Sequence, residues 1–399
     1  MKDKEKLKEL LNRGIENIYP SKEFLEDLLT NKKISIYLGI DPTGKTLHLG
    51  HAISLMKLRV FQELGHKIVL LIGSFTATIG DPTDKSATRK PLTKEQVLVN
   101  CKEYKKQASK IIKFDGENPA EFKFNGDWLE KMSFADVVDL ASNFTVQRLL
   151  ERDMFDKRMK EGKPISLHEF LYPLMQGYDS VAMNIDGEIG GNDQTFNMLV
   201  GRTLVKKLQK REKFVMTTKI LEDPNGAKMG KTTGNMITLK DSPDQMFGAV
   251  MSWTDGMILP GLELCTLCSP EKIAEVKKKI EQGENPRDMK FLLAKEIIKI
   301  YHSEEAGEKA LDNFINQFQK NEIPENIVEF KFTGEMSLID VLVKSKLVPS
   351  SSDGRRMVKQ NAVKLDGETK NDIYEDLSGF DGKVLQVGKK RFTRLNSKA

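Results

Sequence analysis

The order of hydrophobic and polar positions near the N-terminus predicts alternating helices and strands. Residues 2–13 and 21–30 have helical periodicity. Ile34–Leu38 is rich in β-branched and aromatic residues and predicts a strand. The pattern then predicts a helix over about 47–64 and a second, fully apolar strand at Lys67–Gly73. Strand, helix and strand in that order make a βαβ unit.

Apolar strands joined by a helix fit a parallel sheet, in which ligands bind at the carboxyl ends of the strands. The loops at 39–46 and 73–85 would lie at that edge. We therefore predict an α/β fold. A Rossmann-like parallel-sheet catalytic domain would span residues 1–240, with a helical insertion at about 95–170 and a further strand near Val215–Thr217.

Two further domains are predicted after the sheet. Lys- and Glu-rich helices with apolar residues at core spacing predict a helical domain over 241–325, and 321–335 has the composition of a linker. Residues 335–399 predict a small α+β unit. From Lys331 onward there are 14 basic and 9 acidic residues, so the whole net charge of +5 lies there. A basic module favours a polyanion such as RNA, although a lysine-rich exposed surface would give the same count.

Composition excludes several classes of protein. No run of about 18 apolar residues is present, and the charged N-terminus lacks the apolar core of a secretory signal. We therefore expect a cytoplasmic protein with no membrane or DNA partner. Cys101, Cys265 and Cys268 make no disulfide framework, and the C-x-x-C pair lacks two further ligands, so no metal site is predicted.

The octapeptide Gly39–Thr46 satisfies the phosphate-loop pattern G-x-x-x-x-G-K-[ST]. Taken alone, it predicts a P-loop nucleotide hydrolase. However, Asp41 would place a carboxylate among amide groups that wrap phosphates, and Pro42 would remove one of those amides. The strand at 67–73 also ends without the aspartate that would hold magnesium in such enzymes. The P-loop remains the less favoured alternative.

The tetrapeptide His48-Leu49-Gly50-His51 offers a second phosphate site. His48 and His51 lie three residues apart at the start of a helix, so both project to one side, and Gly50 leaves room for a ligand. A helix N-terminus attracts anions, and two imidazoles there can donate hydrogen bonds to triphosphate oxygens. The alternative is a pair of surface histidines.

A lysine motif follows about 180 residues later in the sequence. Lys228-Met229-Gly230-Lys231-Thr232 lies in a Gly- and Thr-rich loop, and its two lysines can neutralise a phosphate chain. The histidine motif followed by the lysine motif on an α/β sheet resembles the class I aminoacyl-tRNA synthetases. The pair is far more specific than either motif alone.

A polar stripe lies on one predicted helix. Tyr172, Gln176 and Asp179 fall at positions i, i+4 and i+7, so they share a face among apolar neighbours. Periodicity leaves two possibilities open, a stripe that faces solvent and a pocket for a zwitterionic ligand.

Four segments carry a closer resemblance: Tyr37–Thr43, Phe75–Pro82, Tyr172–Asp179 and Gly190–Gln194. They look like the bacterial tyrosyl-tRNA synthetases, and the similarity extends over nearly the whole chain. The resemblance implies that L-tyrosine is bound by Tyr37, Thr76, Asp81, Tyr172, Gln176, Asp179 and Gln194. Tyr37 and Asp179 would bond the phenolic hydroxyl. Asp81, Tyr172 and Gln176 would bind the ammonium group, and Gln194 would help to place the carboxylate.

The same resemblance implies a set of ATP-binding residues: Gly39, Asp41, Thr43, His48, Gly50, His51, Gly191, Asp193, Lys228, Met229 and Lys231. Asp193 would bind the ribose, and the two lysines would clamp the pyrophosphate. Catalytic roles fall to Thr43, His48, His51, Lys228, Lys231, Lys85 and Arg89, of which the last two resemble a second mobile loop. Magnesium would be carried on the phosphates. Glu188 lies where some members have glutamine.

The C-terminal module has a recognisable form. Ser351–Gly367 predicts a capped basic helix that runs into a short hairpin, and Val387–Phe392 predicts a second basic strand. The module is similar to an α-L RNA-binding domain shared with a ribosomal small-subunit protein. Phosphates would be contacted by Arg355, Arg356, Lys359, Lys389, Lys390 and Arg391.

These observations predict a tyrosine–tRNA ligase. It would join tyrosine to ATP as tyrosyl-adenylate with release of diphosphate, and would then transfer the tyrosyl group to the 3′ end of tyrosine tRNA. A homodimer, formed through the insertion at 95–170, is implied by the resemblance. The alternatives are a catalytically inactive RNA-binding protein with a synthetase fold, the related tryptophan enzyme and the P-loop hydrolase.

Overall fold

The computed structural model of the chain describes residues 2–81, 92–222, 236–319, 327–388 and 391–396. Its contacts divide the chain into two units, Met1–Gly307 and Glu308–Ala399. The boundaries predicted at 240 and 325 remain a prediction.

Six strands form the central sheet of the first unit: β1 (Ile15–Tyr19), β2 (Ser35–Ile40), β3 (Lys67–Ile72), β4 (Glu121–Phe124), β5 (Gly187–Gly191) and β6 (Phe214–Thr218). Their order across the sheet is β1-β6-β5-β2-β3-β4. All neighbours pair in parallel except β1, which is antiparallel to β6. The predicted βαβ unit is thus present, and the carboxyl ends of β2, β3 and β5 meet at one edge.

Burial explains why the central strands are apolar. Five successive residues of β3 and all five of β6 are buried, as expected for parallel strands covered on both faces. The predictions near 34–38, 67–73 and 215–217 correspond to β2, β3 and β6. The strands β1 and β4, which are short and carry charged residues, were not predicted from the sequence.

Helices cover the sheet and form most of the predicted insertion. They are α1 (Lys2–Leu10), α2 (Lys22–Asn31), α3 (Leu49–Glu63), α4 (Thr76–Ile79), α5 (Lys94–Cys101), α6 (Tyr104–Ala108), α7 (Gly126–Leu129), α8 (Phe134–Ser142), α9 (Val146–Leu150), α10 (Asp153–Lys160), α11 (Leu167–Ala182) and α12 (Thr195–Gln209). Within the described residues, no helix combines the length and hydrophobicity needed to span a lipid bilayer.

The helices α11 and α12 pack closely through two glycines. A Cβ atom on Gly177 would lie 2.9 Å from a methyl carbon of Val200 and 3.0 Å from the backbone nitrogen of Gly201. Backbones this close leave no room for a side chain at position 177. On the same helix, Tyr172 is only 5% exposed and Asp179 only 2%. The polar stripe therefore faces the interior and not solvent.

A helical region follows the sheet, as the sequence predicted. It comprises α13 (Pro243–Met251), α14 (Ile258–Cys265), α15 (Pro270–Glu281), α16 (Pro286–Tyr301) and α17 (Glu304–Gln319), the last of which contains the boundary between the units. Four of these helices begin at Pro or Glu after a capping or polar residue, a common helix start. Phe247, Leu293 and Ile297 are buried between them.

The second unit is a small α+β fold. Its helices are α18 (Leu338–Lys344) and α19 (Ser351–Lys359), and its strands are β7 (Glu329–Lys331), β8 (Val363–Leu365), β9 (Glu368–Thr369), β10 (Val384–Val387) and β11 (Arg391–Asn396). The sheet order is β7-β11-β10-β8-β9. A core of buried aliphatic residues, including Leu338, Leu342 and Leu385, joins helices and sheet.

Two predictions in this unit need correction. The single strand predicted at Val387–Phe392 is wrong, because Val387 ends β10 and pairs antiparallel with Arg391 at the start of β11. The stretch 321–335, predicted as a linker, contains β7, which pairs in parallel with β11. In both cases a short strand is fixed by pairing with a distant segment and not by its own composition.

Candidate active site

One cavity of about 780 Å³ opens at the carboxyl ends of β2, β3 and β5. It is lined by every described residue that the sequence analysis assigned to tyrosine or ATP: Tyr37, Gly39, Asp41, Thr43, His48, Gly50, His51, Thr76, Asp81, Tyr172, Gln176, Asp179, Gly191, Asp193 and Gln194. Lys85, Arg89, Lys228, Met229 and Lys231 lie outside the described residues. The cavity therefore brings together segments that are far apart in the sequence, and the roles assigned to their residues remain predictions.

The inner end of the cavity contains a phenol and a carboxylate. The hydroxyl of Tyr37 lies 3.1 Å from Oγ of Ser180. The carboxylate of Asp179 accepts hydrogen bonds from the indole of Trp128 at 2.8 Å and from the amide of Asn125 at 3.3 Å. Burial raises the pKa of Asp179 well above its ordinary value, while these two donors oppose the shift. A buried acceptor of this kind is suited to a ligand hydroxyl.

Two further carboxylates lie nearer the mouth of the cavity. Asp41 accepts from the hydroxyl of Thr76 at 2.7 Å and from that of Tyr172 at 2.9 Å. Burial raises the pKa of Asp41 to about 7, and the two hydroxyl donors act in the opposite direction. Asp81 accepts from Arg152 at 2.7 Å and from Gln194 at 2.8 Å. This pair of acids is suited to a cationic group such as an ammonium.

The position of Asp41 changes its expected role. The resemblance assigned this residue to ATP, but its carboxylate contacts two side chains that were assigned to tyrosine, Thr76 and Tyr172. Gly73 makes this contact possible, because a Cβ atom there would lie 1.8 Å from Oδ1 of Asp41. Asp41 therefore lies beside residues that are predicted to bind tyrosine, and its assignment to ATP remains a prediction.

His48 and His51 cap the N-terminus of α3 and present their rings together. Nδ1 of His48 accepts from the backbone N–H of Gly50 at 3.1 Å, and Nδ1 of His51 accepts from the backbone N–H of His48 at 3.2 Å. The ring centroids are 3.9 Å apart. Because Nδ1 is the acceptor in both rings, Nε2 carries the hydrogen in each neutral imidazole. The hydrogen-bonding group on the other ring nitrogen of each histidine is therefore Nε2–H.

One described flank of the lysine segment lines this cavity, and the other contacts the histidine motif. Lys219, Ile220 and Leu221 line it on the N-terminal side. On the C-terminal side, the carbonyl of Ile237 accepts from the N–H of Leu49 at 3.1 Å, directly beside His48. The histidine motif and the flanks of the lysine motif, far apart in sequence, are neighbours in the fold.

The loop at 39–46 is held by side chains of the insertion. The hydroxyl of Tyr104 donates to the carbonyl of Gly44 at 2.6 Å, and the amide of Asn100 donates to the carbonyl of Pro42 at 2.8 Å. The carboxylate of Asp41 is turned inward to Tyr172. Pro42 has no N–H, and the N–H of Thr43 already donates to the carbonyl of Asp41 at 2.8 Å, so the geometry gives no support to the P-loop alternative.

Exposed basic side chains project from α19 in the second unit. Arg355, Arg356 and Lys359 are exposed, and Arg356 forms an ion pair of 2.6 Å with Asp353. Arg391 is half-buried and donates to the carbonyl of Leu347. Lys389 and Lys390 lie outside the described residues. The contact of this set with RNA remains a prediction.

Comparison with known proteins gives the family. A model described as class I tRNA synthetases (W and Y) matches residues 29–319, and a model of the tyrosine–tRNA ligase SYY-like C-terminal domain matches residues 315–395. The tyrosine–tRNA ligase of Thermotoga maritima is 44% identical over 389 residues, which is 97% of this chain and 96% of the relative. Tyrosine–tRNA ligase 2 of Vibrio cholerae is 45% identical over 391 residues, 97% of this chain and 98% of the relative.

The chain belongs to the tyrosine–tRNA ligase family. The resemblance drawn from the sequence is thereby confirmed, and so is the prediction of an ATP-dependent class I synthetase. A truncated mitochondrial tyrosyl-tRNA synthetase from Coccidioides posadasii has the same fold, with a TM-score of 0.63 at 23% identity over 77% of this chain and 91% of that one. ATP, tyrosine and tRNA are the substrates of the family.

Several residues of this tyrosine–tRNA ligase site were not found from the sequence. Asn125 and Trp128 follow β4, a strand that the pattern did not predict. Arg152 precedes α10 in a charged segment, and Lys213 precedes β6. Asn125, Trp128 and Arg152 lie next to strand or helix ends that sequence periodicity does not resolve. Lys213 lies just before a strand that was predicted, but nothing in its local sequence indicates that it is buried.

Proposed function

We propose that this chain activates L-tyrosine with ATP and transfers the tyrosyl group to tyrosine tRNA. One observation carries the proposal. A single cavity combines a buried hydroxyl-binding end, a pair of carboxylates and a helix N-terminus with two histidines. These features match, in order, the phenol, the ammonium group and the triphosphate of the two substrates.

The inner part of the cavity around Tyr37 and Asp179, which we call the tyrosine end, supports tyrosine as the amino acid substrate. Tyr37 and Asp179 would flank the phenolic hydroxyl, and Asp41 with Asp81 would surround the ammonium group. Phenylalanine would leave the carboxylate of Asp179 without a ligand donor, which is a recognised basis of selection in this family. A tryptophan side chain offers an indole N–H but no oxygen that Tyr37 could contact.

The histidine cap of α3 supports the proposal that ATP binds at this side of the cavity. Nε2–H of His48 and of His51 would donate to phosphate oxygens at the positive end of α3. Asp193 and Gly191 line the same cavity and would hold the ribose. A Cβ atom on Gly191 would lie 2.5 Å from Oδ1 of Asp193, so a larger residue there would displace the carboxylate.

The proposed chemistry needs no general base in the first step. The tyrosine carboxylate attacks the α-phosphorus of ATP, a new P–O bond forms, and the bond to the departing diphosphate breaks. The histidines, with Lys228 and Lys231, would stabilise the charge that develops on diphosphate. A ribose hydroxyl of the terminal tRNA adenosine then attacks the tyrosyl carbonyl and releases AMP. Magnesium would enter on the triphosphate oxygens, which are its preferred type of ligand.

The second unit is proposed to bind the tRNA. Its exposed arginines on α19 and its match to the C-terminal domain of tyrosine–tRNA ligases support this role. Phosphate contacts of this kind position an RNA without reading its sequence.

We also propose that the protein acts in the cytoplasm, which agrees with the three free, buried thiols of Cys101, Cys265 and Cys268.

We further propose a homodimer formed through the insertion. Seven of the eleven large hydrophobic side chains exposed in the described part of the chain lie between residues 98 and 167: Leu98, Val99, Phe134, Val138, Val146, Met159 and Leu167. Phe134 is 84% exposed and Leu167 79%. An apolar surface concentrated in this way is typical of a protein interface.

Size-exclusion chromatography with light scattering tests the dimer. The double variant Phe134→Asp/Leu167→Asp should have the monomer mass of 45.2 kDa, whereas the native chain should have about twice that mass. Leu208→Asp, at an exposed leucine outside the insertion, is the matched control and should leave the dimer intact. A double variant that remains dimeric would place the interface elsewhere.

ATP–diphosphate exchange tests the activity itself. Exchange should depend on tyrosine and be far weaker with phenylalanine or tryptophan. Exchange with none of the three, in a protein that still binds tRNA, would favour the inactive RNA-binding alternative. Release of inorganic phosphate without any amino acid would revive the P-loop hydrolase.

A further inference from the structure

We propose that Lys213 and Glu188, a buried ion pair beneath the tyrosine end of the cavity, are positioning residues for recognition of the para-hydroxyl group. They would act through Ser180 and Tyr37, making the Tyr37 hydroxyl a hydrogen-bond donor toward the ligand. The inference rests on the proposed tyrosine-activating function and deepens it.

The pair is fully enclosed. The Nζ atom of Lys213 is 2.5 Å from Oε2 of Glu188, and the two side chains are 0% and 2% exposed. Adjacent parallel strands bring them together, because Glu188 lies in β5 and Lys213 directly precedes β6. A buried ion pair stabilises a fold no better than apolar residues of similar size would, so its presence beside a binding cavity calls for another role.

Lys213 connects the pair to Tyr37. Its ammonium donates to Oγ of Ser180 at 2.6 Å, and that oxygen lies 3.1 Å from the Tyr37 hydroxyl. The same ammonium lies 5.6 Å from the centre of the Tyr37 ring. Burial lowers the pKa of Lys213, while the negative charge of Glu188 opposes the shift. The contact with Glu188 therefore favours the charged, donor-only form of the lysine.

The positive charge of Lys213 sets the direction of the hydrogen bonds that run from Lys213 through Ser180 to Tyr37. An ammonium can only donate, so Ser180 accepts from Lys213, which polarises the serine hydroxyl and makes it a better donor to Tyr37. In the empty cavity the Tyr37 hydroxyl makes a long hydrogen bond to the backbone carbonyl of Gln176, at 3.5 Å, and a ligand oxygen would replace that carbonyl as the acceptor. That ligand hydroxyl donates in turn to Asp179, whose carboxylate already accepts from Trp128 and Asn125. A tyrosine hydroxyl thus completes a series that runs from a cation to a carboxylate.

Glu188 also contacts Gln176, a side chain that is predicted to bind the ammonium group of tyrosine. Its Oε1 accepts from Nε2 of Gln176 at 3.1 Å, which fixes the orientation of that amide. Oε1 of Gln176 accepts from Asn197 at 3.0 Å, and Asn197 also donates to Gln194 at 3.0 Å. Gln194 in turn donates to Asp81. The ion pair therefore orders side chains assigned to the ammonium as well as the hydroxyl.

Three amino acids can show whether the Tyr37 hydroxyl donates its hydrogen bond to the ligand. Tyrosine can both accept from Tyr37 and donate to Asp179, phenylalanine can do neither, and 4-aminophenylalanine donates well but accepts poorly. The test measures kcat and KM in ATP–diphosphate exchange for each, using the full chain and the double variant Glu188→Gln/Lys213→Gln. This variant removes both charges and keeps the side chains polar.

We expect the double variant to lose roughly tenfold in its preference for tyrosine over 4-aminophenylalanine, the ratio that corresponds to about one net hydrogen bond. The loss should appear in KM for tyrosine, with KM for ATP changed by less than about twofold. The matched control is Arg202→Gln/Glu212→Gln, a partly exposed ion pair of 2.7 Å that does not line the cavity. It should keep the native preference.

A second variant guards against a double variant that does not fold. Ser180→Ala keeps the ion pair and removes the link to Tyr37, so it should lower the same preference by a similar factor. If Ser180→Ala, or a folded double variant, retains the native preference, the inference is wrong. If the native chain itself shows no tyrosine-dependent exchange, the proposed function fails instead.

Discussion

The two ends of the cavity are built in different ways. At the tyrosine end, buried side chains hold one another: Asp179 is bonded to Trp128 and Asn125, and Tyr37 to Ser180. At the ATP end, the groups are backbone positions and side chains presented at the start of α3. Gly50 and Asp193 there are exposed. One end is a closed network and the other an open, polar edge.

This difference follows from what each end must achieve. Selection of one aromatic amino acid over another depends on buried groups that lose a partner when the wrong ligand enters, and burial makes that loss costly. A triphosphate needs donors that follow its changing charge, and it can remain partly hydrated. The comparison predicts that changes at the tyrosine end alter selectivity, whereas changes at the ATP end alter rate.

The largest expected effect is on rate, at His48. His48→Ala and His48→Asn both remove the Nε2–H group and should lower kcat for adenylate formation by roughly a hundredfold. Asparagine can still accept from the N–H of Gly50, whereas alanine cannot, so only His48→Ala should also lose about 1 kcal/mol of stability. Exchange kinetics and thermal unfolding measure the two effects. If kcat fell only in the destabilised variant His48→Ala and stayed native in His48→Asn, His48 would act only as a helix cap.

The next effect is on selectivity, at Asp179. Asp179→Asn should reduce the ratio of kcat/KM for tyrosine to that for phenylalanine by roughly ten- to a hundredfold, since a hydrogen bond to a charged group is lost. KM for ATP should stay within about twofold. Asp186→Asn is the control, because that carboxylate bonds Ser35 outside the cavity. Unchanged selectivity in Asp179→Asn would remove Asp179 from the tyrosine end.

A pH dependence should distinguish the ammonium end. Burial raises the pKa of Asp41 to about 7, so in the empty site the residue becomes neutral as the pH falls through that value. A ligand ammonium favours the ionised form. KM for tyrosine should therefore rise about tenfold from pH 8 to pH 6, while KM for ATP should not follow it. Asp41→Asn should flatten the profile, and a native profile in that variant would contradict the assignment.

The smallest effect should come from the second unit. Arg355→Ala/Arg356→Ala should raise KM for tRNA several-fold and weaken the salt dependence of binding, because two phosphate contacts are lost. ATP–diphosphate exchange should be unchanged. Lys331→Ala/Lys344→Ala removes the same charge from two other exposed positions and serves as the control. An equal effect of both pairs would indicate a general charge effect and no defined surface.

The sequence predicted those parts of the site that follow from local pattern. β2, α3 and β3 were recognisable from periodicity, and the histidine cap from its place at a helix start. The stripe on α11 was recognisable as well, but its burial was not. That burial involves contacts with distant segments, because Asp179 accepts from Trp128 and Asn125 and Tyr172 donates to Asp41.

The remaining parts depend on tertiary contacts with no local signal. Asn125 and Trp128 reach Asp179 because the four-residue strand β4 pairs with β3. Lys213 looks in the sequence like any surface lysine, and its burial arises from pairing between β5 and β6. Val387–Phe392 was mistaken for a single strand for the same reason, since antiparallel pairing and not composition divides β10 from β11.

The glycine contact between α11 and α12 also determines where this site could be redesigned. With no room for a Cβ atom at Gly177, α11 cannot shift toward α12, so its stripe is a fixed wall. Space for a bulkier aromatic amino acid would have to come from the opposite wall, where Tyr37 and Leu71 line the cavity on β2 and β3. A library of variants for non-natural tyrosine analogues would therefore best vary the strand side and leave α11 unchanged.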